Sequence, residues 1–325
     1  MRSIQTQHTF PLELVKPLEG LMSYRAYCVE ATRRALRGTV HHRQQSPVSG
    51  ARLKEVGAVE GLAYARCPDS GSLFLAVLPD ASAWGRLVAE VTHYRHSPGT
   101  VHAELTRSRA DNVYAPKLEW IRDTLRLQGV ERPSLLEVGT SPSDFTGLLR
   151  QSGVCATVTM ADEMELAHAQ AHQPVQPAVR AEAAVLLESL DRVDDPVALL
   201  EAVAQRLAPE GLVFVTALVA SGFDLSVLGL RNLYLYPPDR ANCFSLQGLS
   251  QLLEQHGFTL LEVSTPGVLD VEIVRAHLEH DPALPLSPFE RQLLNADGDT
   301  HKAFQSFLQQ QGLSSFARLV GRKRS

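Results

Sequence analysis

The run Leu135-Leu136-Glu137-Val138-Gly139 constrains this chain more than any other feature. Four mostly apolar residues end on a glycine, and after Thr140-Ser141-Pro142-Ser143-Asp144 a helical pattern takes over at 145–150. A short strand without polar alternation marks a parallel sheet covered by helices on both faces. A glycine at its carboxyl end lets a ligand approach the backbone. The same rhythm continues with a strand at 156–160, a helix at 163–172 and a strand at 183–187. An amphipathic helix at 197–207, closed by Pro209 and Gly211, precedes a strand at 212–216. A helix at 245–256, closed by Gly257, precedes a strand at 259–263, and a last strand falls at 316–320. Strand and helix in turn at this spacing predict an α/β, doubly wound sheet.

The first 110 residues lack that rhythm. Helical patterns cover 22–36 and 84–94, and another covers 115–127 just beyond. Two similar turns, Ser46-Pro47-Val48-Ser49-Gly50 and Cys67-Pro68-Asp69-Ser70-Gly71, flank the alternating stretch LKEVGAVEGLAYAR, which predicts a small hairpin. The expected organisation is an N-terminal appendage over 1–110, with its hairpin at about 46–75, and an α/β domain over 111–325. A helical insertion is expected at about 270–312.

Composition narrows the partners. Of 325 residues, 44% are hydrophobic and 21% charged, the balance of an ordinary globular protein. A net charge of -5 gives no overall attraction to nucleic acid. The densest basic run, Arg318 and Arg322-Lys323-Arg324, reads as a solvated tail. The first twenty residues lack a basic start followed by a long apolar stretch, and the apolar run at 212–220 is too short to span a bilayer. A cytoplasmic protein with no membrane span and no nucleic-acid partner is expected. Cys28, Cys67, Cys155 and Cys243 form no CxxC pair, and His93, His96, His256, His277 and His280 do not fall at metal-ligand spacing, so no metal is expected.

Three longer segments carry a resemblance: LLEVGTSPSDFTGLLR, VDDPVALLEAVAQRLAPEGLVFVTA and LYPPDRANCFSLQGLSQLLEQHGFTLLEVSTPG. Together they resemble class I S-adenosylmethionine-dependent methyltransferases, which have a Rossmann-like sheet, and especially a bacterial group acting on small molecules and sugars. The closing LSSFARLVGRK resembles that family's seventh strand. Many members of the group carry an N-terminal zinc ribbon with CPxCG, a hairpin and a second CPxCG. Here the four ligand positions read Ser46, Ser49, Cys67 and Ser70. One thiol and three hydroxyls are poor zinc donors, and His41 and His42 read as solvated, so a ribbon without zinc is expected. Its core would rest on Leu53, Val56, Leu62, Tyr64, Leu73 and Phe74.

The resemblance implies that Glu137, Gly139, Ser141 and Ser143 border S-adenosylmethionine. Asp162, with Glu163 beside it, would hold the ribose. Glu188 and Arg240 are the candidate catalytic residues, and Arg231, Tyr234 and Tyr236 the candidate acceptor-binding ones. Arginine suits phosphate or carboxylate and tyrosine suits a ring, which points to a small-molecule acceptor such as an anionic sugar or sugar nucleotide of surface polysaccharide synthesis. Four departures stand against this. The GxGxG turn reads Gly139-Thr140-Ser141-Pro142-Ser143. The stretch between Asp162 and Ala184 is short for a third strand and its helix. The family's Glu-His reads Asp191-Arg192, and the histidine of its PPxH loop is Arg240. The alternative reading is therefore an inactive methyltransferase-like protein that binds a protein partner. A nicotinamide dehydrogenase fits the segments less well.

Overall fold

In the computed structural model, which describes residues 12–14, 17–140, 143–168 and 180–325, the chain begins with two helices around small antiparallel sheets. Helix α1 (Leu18–Ala35) leads into β1 (Val40–His42), β2 (Lys54–Val59), β3 (Leu62–Arg66), β4 (Leu73–Leu75) and β5 (Val77–Pro79). Helix α2 (Ala81–Arg95) follows, capped by Asp80, whose carboxylate accepts from the Ala83 amide at 2.9 Å. The predicted hairpin is β2–β3, closed by Glu60 and Gly61 at φ 50° and 78°, the two positive values that a tight primed turn requires. Leu62, Tyr64, Leu73 and Phe74 are buried and Leu53 packs against them. Val56 departs from expectation and is 41% exposed. It lies on an edge strand, where a register shift between Glu55 and Gly57 takes it out of the alternation assumed from sequence.

The two turn signatures fold alike. Gly50 N–H donates to the Ser46 carbonyl and Gly71 N–H to the Cys67 carbonyl, both at 2.9 Å. Ser46, Ser49 and Ser70 thereby gather around the buried Cys67, with Ser49 Oγ 3.5 Å from its sulfur. Burial pushes the Cys67 thiol up, but the hydroxyls of Ser46, Ser70 and Ser49 outweigh it and bring the thiol down to about 7.

Beyond α2 come α3 (Val101–Glu104), α4 (Thr106–Arg109), a π-helical turn over Ala110–Tyr114 and α5 (Ala115–Leu127). The alternating half then supplies β6 (Ser134–Val138), α6 (Asp144–Gln151), β7 (Thr157–Ala161), α7 (Glu163–His168), β8 (Ala181–Leu187), α8 (Ser189–Arg192), α9 (Pro196–Arg206) and β9 (Leu207–Leu218). It continues through α10 (Phe223–Leu228), β10 (Asn242–Cys243), α11 (Leu246–Gln255) and β11 (Phe258–Ser264). Helices α12 (Asp270–His280), α13 (Pro288–Leu294) and α14 (Gly298–Gln310) follow, and β12 (Phe316–Lys323) joins the sheet last. Only the first part of the helix expected at 163–172 lies within the described residues.

The large sheet has the order β11-β12-β9-β8-β6-β7. The pairs β6–β7, β6–β8 and β8–β9 are parallel, and β12 runs antiparallel to both β9 and β11. This is the predicted α/β, doubly wound, Rossmann-like sheet, and among the described residues β7 and β11 are its edges. The chain leaves β6 toward β7 on one side and returns to β8 on the other, so the switch point lies at the carboxyl ends of β6 and β8. The Ser189 hydroxyl fastens that point by donating to the Val138 carbonyl at 2.7 Å.

The basic C-terminal run is not a solvated tail. Arg318 to Lys323 belong to β12, whose backbone fills the gap between β9 and β11, and Arg318 is buried with its guanidinium 5.2 Å from the centre of the Trp120 ring. A strand hydrogen-bonded on both sides tolerates arginine where an aromatic face covers the stem.

One buried apolar cluster runs from Cys28 of α1 through the ribbon core and α2 to Leu319 of β12, so the N-terminal segment and one face of the large sheet share a core. Polar contacts lock the junction. β10 pairs with β4. Asn242 accepts from Arg43 Nη1 at 2.6 Å and donates to the carbonyls of Leu190 and Val193 at 2.8 and 2.7 Å. Replacing Asn242 with alanine orphans two buried carbonyls and part of a guanidinium, at roughly 1–3 kcal/mol each. Asn242→Ala should lower stability by at least about 2 kcal/mol in urea denaturation, against a change within about 0.5 kcal/mol for a surface substitution such as His93→Ala.

Candidate functional site

Glu188, at the end of β8, sits in the left-handed region with φ 62° and ψ 17°. A non-glycine residue costs energy there and keeps the conformation only when its surroundings hold it. Two cations do so. Lys117 Nζ of α5 lies 3.5 Å from one carboxylate oxygen, and Arg240 Nη2 lies 2.6 Å from the other. Arg240 Nη1 also lies 3.4 Å from Oδ2 of Asp191, which accepts the Leu218 amide at 3.0 Å. Burial pushes the Asp191 carboxyl up to about 8, against the pull of Arg240. Burial also pulls the Lys117 amine down to about 8, against the pull of Glu188.

This cluster opens on a cavity of about 1370 Å³ at the carboxyl ends of β8, β9 and β11 and the start of β12. Elements of the N-terminal segment cover it, from the start of α1 and from the stretch between α2 and α5, including the π-helical turn. Such turns recur where a helix gives up regularity at a site. The cavity is large enough for a small molecule together with part of a cofactor. On its floor, Arg318 stands by Trp120 and Phe316, and its Nε has no hydrogen-bond partner among the described residues.

The predicted site residues divide. Glu188, Arg240, Tyr234 and Tyr236 reach the cavity wall, and both tyrosines are buried rather than set in a surface lid. Arg231 is exposed and lies off that wall. Gly139 and Asp162 stand at the ends of β6 and β7, beside the cavity but not lining it. A Cβ built on Gly139 would meet no atom of the described residues within 4 Å. Asp162 Oδ1 accepts the amides of Met164 and Glu165 at 2.8 and 3.1 Å, leaving Oδ2 for a further donor. Glu163 is fully buried against Arg192 at 2.9 Å and is therefore turned away from any ribose. Glu137 accepts the hydroxyls of Ser143 and Thr146, so its carboxylate serves the start of α6. Ser141 lies outside the described residues.

Sequence reading missed Lys117, Asp191's contact with Arg240, Asp239 with Arg95, and Arg318. These residues come from α5, α8, the 234–240 loop, α2 and β12, and no local motif links them. It also missed His102, which stands beside His96 and Asp144 at the rim, with its Nε2 3.3 Å from Asp144 Oδ2. Burial pulls the His102 imidazole down to about 4, against the hydrogen bond to Asp144.

Removing the guanidinium in Arg240→Met takes the nearer cation from Glu188 and a polar partner from the buried Asp191 carboxyl, and should cost about 1–3 kcal/mol of stability. Equilibrium denaturation at neutral pH checks this. Lys117 gives a pH effect of defined sign. Its folded pKa of about 8 lies below the ordinary 10.5, so between those values the unfolded chain holds the extra proton and stability rises with pH. The slope contributed approaches about 1.4 kcal/mol per pH unit in that window, and a denaturation series in Lys117→Met should lose it.

Residues 111–263 match the family model of a methyltransferase domain. No match is found among curated proteins. Among solved structures, the chain is similar to the plantazolicin methyltransferase BpumL in complex with a pentazolic desmethylPZN analogue and SAH, at 14% identity over 75% of this chain and 98% of that one, with a TM-score of 0.41. An S-adenosylmethionine dependent methyltransferase from Mesorhizobium loti shares 15% identity over 62% of this chain and 96% of its own, with a TM-score of 0.37. A SAM-dependent methyltransferase from Thermotoga maritima shares 13% over 62% and 88%, with a TM-score of 0.35. The stretch that carries the methyltransferase-domain match is the one that folds as the parallel core of the sheet, from α5 through β9, and continues to β11.

Proposed function

We propose that the chain transfers a methyl group from S-adenosylmethionine to a small anionic acceptor held in the 1370 Å³ cavity. The observation that carries the reading is the switch point itself. Gly139 leaves open space at the end of β6, and Glu188 is held in a strained conformation beside it at the end of β8. Ligands of open α/β sheets bind at such a point. The residues present suit the cofactor: a backbone without a side chain at Gly139, and an Asp162 carboxylate with one oxygen left for ribose hydroxyls. When bound, S-adenosylmethionine supplies an electrophilic methyl group on a sulfonium.

This chain's own residues supply position and proton transfer. Tyr234 and Tyr236 give the acceptor a wall on which a ring can pack. Arg318, with its unpartnered Nε, offers a charge for a carboxylate or phosphate of the acceptor. The Lys117–Glu188 pair takes the proton that an acceptor hydroxyl must lose, since an amine with a pKa of about 8 is partly neutral near physiological pH. Arg240 fixes the carboxylate of Glu188 for that task. The sugar class of the acceptor rests on the sequence resemblance.

Calorimetric titration with S-adenosylmethionine and S-adenosylhomocysteine tests the cofactor. Micromolar binding is expected. Gly139→Val, whose Cβ meets no atom of the described residues, and Asp162→Asn, which can still cap α7, should each weaken it at least tenfold without loss of folding. Absence of heat at millimolar ligand from folded protein would reject the enzyme reading in favour of a partner-binding role.

A further inference from the structure

A second group of chemistry-bearing side chains stands at the cavity rim, outside the proposed methyl-transfer machinery. His96 follows α2, His102 lies in α3, and Asp144 opens α6 just beyond the turn from β6. The Nε2 atoms of His96 and His102 lie 4.0 and 3.3 Å from the same Oδ2 of Asp144. All three donor atoms lie within 4.8 Å of one another, and the two rings meet edge to face with centroids 4.8 Å apart. Ligands at about 2.0–2.1 Å from a tetrahedral ion stand about 3.3 Å apart, so one of these spacings fits already and small side-chain rotations close the others.

Two features favour an ion over a plain hydrogen-bonded trio. His96 Nδ1 lies 2.9 Å from the Thr92 carbonyl, which can only accept, so Nδ1 carries the proton. That leaves Nε2 as the ring atom turned toward the Asp144 carboxylate, in position to act as a metal donor. A histidine whose second nitrogen is tied to a backbone carbonyl is also how proteins hold metal-binding imidazoles in register. Two guanidiniums near the cluster oppose a cation. Arg95 is neutralised by Asp239, and Arg109 lies over the Tyr114 ring, so the opposition lowers affinity without closing the site.

We propose that His96, His102 and Asp144 bind one divalent transition-metal ion of the zinc or cobalt kind. Two imidazoles and one carboxylate select such ions over magnesium and calcium. Binding through His102 Nε2 moves the proton of the neutral ring to Nδ1, and the ion takes its place against Asp144. Three protein ligands leave at least one coordination position open, and His102 lines the cavity. The inference does not rest on methyl transfer and is read without it.

Full-length protein stripped with chelator is titrated with cobalt(II). One equivalent should produce a visible ligand-field band and a rise in melting temperature. His96→Ala, His102→Ala and Asp144→Asn should each abolish the band, and His93→Ala should keep it. Absence of a stoichiometric band, or its survival in any of the three variants with wild-type circular dichroism, overturns the proposal. X-ray absorption on the cobalt-loaded wild type decides the matter without variants. Nitrogen and oxygen neighbours with imidazole scattering support the site, and a sulfur neighbour would place the ion at a cysteine and overturn it.

Discussion

The ion cluster of Arg240 with Glu188 and Asp191 is the constraint around which the rest of the molecule is arranged. Asp191 is fully buried and Glu188 is strained, and the guanidinium between them partners both. Arg240 in turn sits on a loop, and loops do not hold a side chain in place unless something packs behind them. The ribbon does that here. Tyr64 donates to the Arg240 carbonyl at 2.8 Å, β4 pairs with β10 just beyond it, and Arg43 reaches Asn242 and the Asp194 carbonyl. The N-terminal segment is thus a buttress for the site as well as its cover.

The ribbon's own stability follows a different route from the one its turns suggest. Both turns close with the same glycine-to-carbonyl hydrogen bond, and the four side chains they bring together are one thiol and three hydroxyls. Ser49 Oγ reaches the Cys67 sulfur, Ser70 Oγ donates to Ser72 Oγ at 2.9 Å, and Ser46 and Ser49 also accept amides of their own turn. Apolar packing is available around them: Tyr64, Phe74 and Trp84 are among the largest fully buried side chains, and the Trp84 indole donates to the Arg192 carbonyl at 2.9 Å. Burial of that size is the main favourable term in folding a small layered unit.

The central strands were legible because each is covered on both faces and therefore reads as an unbroken apolar run. Leu135 to Val138 and Ala183 to Leu187 are the clearest cases. Helix ends were legible where a side chain caps them, as Ser245 does for α11. Val56 was misread because alternation says nothing about a bulge on an edge strand. The basic run of β12 was misread because charge density predicts solvation only when no aromatic surface and no neighbouring strand are on offer. Glu188 and Arg240, singled out by the resemblance, meet in an ion pair that no local pattern announces.

By itself, the sequence determined the parallel sheet, its order of strands and helices, and the position of the switch point, since hydrophobic period and turn chemistry are local properties. The tertiary structure alone decided which residues meet there. Lys117 joins Glu188 across 71 positions, Tyr64 meets Arg240 across 176, and His102 meets Asp144 across 42. Such pairings depend on how layers pack. Their energies come from burial and from charges brought together out of water, and neither quantity exists until the chain has folded.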